Sequence, residues 1–106
     1  NKRINLLISL DYRTTSEQLK NIKNEIEDYI KKSDDFIKSE DTLLSVKIDQ
    51  FAASSIDIRL ICFTKTKYFQ EWLNVKDTLA LEIKNIVEKN KASFAFPSQS
   101  IYVEKK

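Results

Sequence analysis

Glycine, histidine and methionine are all missing from these 106 residues, and proline and cysteine occur once each. Phosphate-cradling loops such as GxxxxGK[ST] and GxGxxG need glycine's backbone freedom, so nucleotide motifs of that kind are excluded. Without histidine there is no imidazole for acid/base work, for a metal site or for a pH switch. Cys62 has no partner for an internal disulfide, and one thiol makes a poor metal site. At a strand position in phase with apolar neighbours it reads as a small buried hydrophobe. The acidic pairs Asp34-Asp35 and Glu40-Asp41 lack the spacing and turn glycine of a calcium loop, so they read as solvated loop. No cofactor or metal is called for.

Long apolar runs are also missing. No stretch approaches the roughly 20 apolar residues of a membrane span, and Asn1-Lys2-Arg3-Ile4 lacks the apolar core of a signal peptide. A sequence without Met is expected to be a domain excised from a longer protein. The net charge of +2 spreads over a mixed surface, which is not the one-signed footprint of a nucleic-acid binder. A chain of this length forms one domain, residues 1–106, and buries roughly two thirds of its unfolded surface without staples.

What is present is pattern. Ile56, Ile58, Leu60 and Cys62 alternate with Ser55, Asp57 and Arg59, the period of a half-buried strand. Past Leu60 the alternation fails, because Ile61 and Phe63 make the second face apolar as well. Those two residues either complete the domain's own core or meet another subunit. Ile4, Leu6, Ile8 and Leu10 predict a first strand over residues 3–12. Thr14 with Glu17, or Thr15 with Gln18, forms a capping box that starts a helix, and Leu19, Ile22, Ile26, Tyr29 and Ile30 give it one apolar stripe. Residues 33–41 read as a surface connection. Leu44, Val46 and Ile48 predict a second strand that turns back through Ala52-Ala53-Ser54. Lacking Gly or Asn, that link is expected to use a bulge or a longer loop instead of a two-residue primed turn.

A second helix carries Trp72, Val75, Leu79, Ile83 and Ile86, with Asn74 as its expected N-cap. Leu73, Ala80 and Val87 widen its stripe, so it is expected to bury more than the first helix. Tyr68, Phe69 and Trp72 read as packing residues. The helix is expected to end around Lys89-Asn90-Lys91, and Phe94-Ala95-Phe96-Pro97 must be extended, since the residue before proline avoids the helical region. Ile101 and Val103 predict a short last strand. The order strand, helix, strand, strand, helix, strand gives an α+β fold, a ferredoxin-like βαββαβ sandwich with two helices on one face of an antiparallel sheet.

The Phe51–Leu60 segment, Trp72-Leu73-Asn74-Val75-Lys76, Ile83-Lys84, Phe94-Ala95-Phe96-Pro97-Ser98-Gln99 and the opening Ile8–Thr15 stretch together resemble one family over nearly the whole chain. It is the cytoplasmic C-terminal domain of the small-conductance mechanosensitive channel (MscS) family. The family usually ends the second helix with glycine, where this chain has Asn90-Lys91-Ala92-Ser93, and Asn90 is expected to take the left-handed cap conformation.

The resemblance implies a homo-oligomeric, typically heptameric, channel of the bacterial inner membrane that releases solutes under tension after hypo-osmotic shock. This domain would form part of a cage on the cytoplasmic side, with the membrane segment upstream of Asn1 and no catalytic residue here. It implies that the segment from Phe96 and Pro97 through Ile101 and Val103 approaches its counterparts near the symmetry axis. With Ile61 and Phe63, these are the candidate subunit-interface residues. The alternative is a small-molecule-binding regulatory module of the same fold, which the lack of glycine-rich turns disfavours. RNA recognition is disfavoured by the polar set Ser55, Asp57 and Arg59.

Overall fold

The computed structural model describes residues 2–37 and 44–95. Five elements follow in order: β1 (Lys2–Asp11), α1 (Ser16–Lys32), β2 (Ser45–Phe51), β3 (Ser55–Thr64) and α2 (Phe69–Lys89). The strands form one antiparallel sheet in the order β1-β3-β2. The most regularly patterned strand is therefore the middle one, paired with β1 from Ser55↔Asp11 to Thr64↔Lys2. Its even-numbered side chains, Ile56 to Thr64, are buried together with Ile4, Ile8 and Leu10 of β1 and Val46 of β2. Against this face lie Leu19, Ile22, Ile26 and Ile30 of α1 and Leu79, Ile83, Ile86 and Val87 of α2, in a single apolar cluster. Both helices cover one face of the sheet, as the α+β reading requires. The expected last strand, Ile101 and Val103, lies outside the described residues.

Local chemistry fixes the ends of the elements. Of the two possible capping boxes the chain uses Thr15 with Gln18: the Thr15 hydroxyl accepts the Gln18 N–H at 3.1 Å, and Gln18 Oε1 accepts the Thr15 N–H at 2.8 Å. Gln18 Nε2 then donates across to the Asn90 carbonyl at 2.9 Å, tying the start of α1 to the end of α2. The link between β2 and β3 is longer than two residues, as expected, and β2 itself is bulged where the register shifts between Ile48 and Gln50. No residue of the link takes a positive φ.

Three expectations need correction. α2 begins at Phe69, with Tyr68 as N-cap, and not at Asn74. Thr66 sets this earlier start: its hydroxyl accepts the Tyr68 N–H at 3.1 Å and donates to Glu71. The connection after α1 is not all surface either. Phe36 is fully buried, meets Tyr29 edge-on at 6.5 Å between ring centroids, and forms an antiparallel bridge with Thr64.

The third correction concerns the end of α2. Asn90 keeps a negative φ, and Lys91 takes the left-handed conformation with φ 62°. Lys91 N–H donates to the Glu88 carbonyl at 2.9 Å and Ala92 N–H to the Val87 carbonyl at 3.1 Å. That pair of bonds is the Schellman closure, which glycine normally serves because a Cβ is penalised there. Asn90 instead uses its side-chain amide to donate to the Ile86 carbonyl at 2.9 Å. Lys91→Gly is therefore expected to stabilise the fold by about 1 kcal/mol, raising Tm by ~4 °C or more. A thermal melt by circular dichroism checks this, and an unchanged or lower Tm contradicts it.

Candidate subunit interface

The face of the sheet away from the helices carries the odd-numbered residues, and its two ends differ. At one end Asp57 is 3% exposed. Its carboxylate accepts from Gln50 Nε2 at 2.9 Å and from Ser55 Oγ at 2.9 Å. The bulge in β2 brings Gln50 opposite Asp57. The hydrogen bond from Gln50, helped by Ser9, Ser55 and the nearby Arg59, holds the Asp57 carboxyl below the usual carboxylate range despite its burial. Arg59 reaches sideways, donating to Asn5 Oδ1 at 2.9 Å and approaching Asp49 Oδ2 at 3.6 Å.

The other end is apolar. Ile61 stands between Asn5 of β1 and Ser45 of β2, and Phe63 lies opposite Arg3. Both are half-buried, on the face opposite the buried row, and neither joins the apolar cluster between sheet and helices. Leu7, diagonal to Ile61 on β1, is exposed and extends this apolar end toward the sheet edge. The remaining candidates, Phe96, Pro97, Ile101 and Val103, lie outside the described residues.

Sequence periodicity also missed exposed apolar groups. Of the three aromatics read as packing residues, only Trp72 packs against the core; Tyr68 and Phe69 are exposed, with Phe69 stacked on Trp72 at 5.9 Å. Lys76 Nζ lies 5.0 Å from the centre of the Trp72 ring, a cation-π contact. Val87 is buried as expected, but Leu73 and Ala80 are exposed, and α2 buries no more of its residues fully than α1 does. Tyr12, Phe51, Leu81 and Phe94 are exposed too. The signal for these was present in their residue types, but periodicity assigned Leu73 and Ala80 to an inward stripe.

Cys62 is 1% exposed, and burial pushes its thiol up to about 12, which leaves it inert as a nucleophile at neutral pH. Among the described residues no group of three or more His, Cys, Asp or Glu is placed to hold a metal ion. No described helix is long and apolar enough to cross a membrane.

Comparison with known proteins matches this arrangement to one family. Residues 4–94, which span all five elements, match the family described as "Mechanosensitive ion channel MscS, C-terminal". An uncharacterized MscS family protein of Helicobacter pylori is 55% identical over 71 residues, which is 67% of this chain and 11% of that protein. The low conductance mechanosensitive channel YnaI of Escherichia coli is 46% identical over 68 residues, 64% of this chain and 20% of the channel. Among solved structures, Arabidopsis thaliana MSL1 superposes with a TM-score of 0.80 at 17% identity, over 91% of this chain and 34% of that one. The chain spans between a tenth and a third of the curated relatives it matches. It belongs to the MscS mechanosensitive ion channel family, of which it is the C-terminal domain.

Proposed function

We propose that this chain, residues 1–106 as one unit, is the assembly and vestibule domain of a bacterial channel that opens under membrane tension and releases solutes after hypo-osmotic shock. The observation that carries the reading is the match over residues 4–94 to the C-terminal part of that channel family. The domain stands on the cytoplasmic side of the inner membrane, and the membrane-spanning part belongs to the stretch of the full-length protein upstream of Asn1. Copies assemble into a closed ring, a heptamer by resemblance to the family. Its task is to hold subunits together and shape the space below the pore, with no catalytic residue and no cofactor.

Within that assembly the apolar end of the open face, Ile61 and Phe63 with Leu7, packs against other protein. Phe96, Pro97, Ile101 and Val103 meet their counterparts near the symmetry axis. An apolar patch turned away from the domain's own core supports the first of these contacts. The test is patch recording from liposomes that hold the full-length protein: a conductance that opens with suction is expected, and its absence from assembled protein contradicts the reading.

A further inference from the structure

The exposed large apolar side chains of α2 and the strand ends fall largely into two groups, on opposite halves of the domain. The first follows the outer edge of β1. Asp11 N–H donates to the Ser93 carbonyl at 2.8 Å and Ala95 N–H to the Ser9 carbonyl at 3.0 Å, so residues 93–95 cover one end of that edge. Alternation along a strand then turns the backbone N–H and C=O groups of Arg3, Asn5 and Leu7 outward, and they have no backbone partner among the described residues. Beside this edge runs a cleft lined by Leu6, Leu7, Ala80, Ile83 and Phe94. Two turns toward the start of α2 from Ala80, on the same side of the helix, comes Leu73, and one turn further Phe69. Leu7, Phe69, Leu73 and Phe94 are all exposed.

The second group lies toward α1 and β2. Tyr12 and Phe51, the two strand-end aromatics, are 63% and 69% exposed. They border a cleft that also includes Leu19, Ile48 and Ile56, together with Lys20 and Lys23. Among the described residues no carboxylate lines this cleft, and neither lysine is in an ion pair. On the first surface, exposed Asp77 stands one turn from Leu73.

A closed ring of identical copies needs two different, complementary faces, because each copy presents one side to the copy ahead and another to the copy behind. We propose that these two groups are the two halves of one subunit contact: the β1 edge and the α2 ridge of one copy pack on the Tyr12–Phe51 cleft of a second copy. Asp77 then faces Lys20 and Lys23, a favourable pairing of opposite charges across the contact. The proposal rests on the assembly reading above and names the surfaces through which assembly occurs.

Thiol cross-linking in the full-length protein tests it, because Cys62 is buried and an introduced cysteine reports above the background of the unmodified protein treated alike. Leu73→Cys and Phe51→Cys are combined in one chain and treated with a short bismaleimide. Loss of most of the monomer band into a ladder of covalent oligomers on a denaturing gel is expected, while each single variant stays at background. A doubly substituted ring that assembles but stays monomeric on the gel overturns the proposal and leaves the assembly reading intact. So does a single variant that cross-links, since that means like surfaces meet. If unmodified protein is monomeric in detergent and in lipid, both readings fail. Should the first pair disturb assembly, Phe69→Cys with Tyr12→Cys carries the same expectations.

Discussion

Ile58→Asp is expected to leave this domain unfolded at room temperature. Ile58 is fully buried at the centre of β3, with Ile8 opposite it on β1 and Ile48 on β2. A carboxylate at that point has only apolar neighbours on the helix-facing side, so it stays charged without a partner or takes up a proton and stays unbonded. Either outcome costs several kcal/mol, added to the roughly 2 kcal/mol or more that burying the isoleucine contributes. The sum takes up most of the ~5 to 15 kcal/mol that holds a domain of this kind together. Ile58→Val, which keeps the apolar contact, is expected to cost only about 1 kcal/mol. Circular dichroism of the three proteins decides it. A cooperative melt in Ile58→Asp near that of the unchanged chain means that the even-numbered residues of β3 do not face the core.

The neighbouring residue on the opposite face gives the second large effect. Asp57→Ala removes a buried carboxylate that accepts from Gln50 and Ser55, and hydrogen bonds to an ionised group are the stronger kind. A loss of about 2 kcal/mol is expected, which lowers Tm by ~8 °C or more. The sign of the pH dependence follows from the Asp57 carboxyl lying below its ordinary range in the folded protein. Its stabilising contribution is complete above the unfolded carboxylate value of about 4 and is lost as pH falls from there toward the lower folded value. Asp11 acts in the same direction, because three donors from Arg13 hold its carboxyl near about 2. Stability of the unchanged chain should therefore fall as pH drops below about 4, and Asp57→Ala should show a shallower slope there. Equal slopes for the two proteins assign the acid sensitivity to other groups.

These two residues also mark how far the sequence could be read. Ile58 was legible, because strict alternation fixes which side of a strand is apolar, and the same logic located α1 through its capping box and its stripe. Asp57 was not. Alternation puts it on the polar face, and only the bulge that carries Gln50 opposite it makes that point of the face buried. Periodicity reports direction and is silent on what covers a residue. The same limit explains Leu73 and Ala80, which lie beside the inward stripe of α2 yet stay exposed; Ala80 borders the cleft along the outer edge of β1. Phe36 was missed for the converse reason: a single aromatic in a polar stretch has no period, and its burial comes from contacts with Tyr29 and the end of β3. The Lys91 cap could not be told from an Asn90 cap by residue type, since both positions follow the last apolar residue and asparagine is the commoner left-handed residue. Of the candidate interface residues, Ile61 and Phe63 stand where the alternation of β3 breaks down, while Leu7 falls singly on the polar side of β1 and leaves its alternation intact.

The measurement closest to the central claim is patch recording from liposomes that contain the full-length protein, made in parallel with the Ile58→Asp variant. The account predicts channel openings that appear under suction and vanish when it is released. It also predicts loss of assembled channels, and of the current, when this domain cannot fold. A correctly assembled, unmodified protein that passes no current at suction up to rupture of the patch would contradict the assignment of this domain to a tension-gated channel.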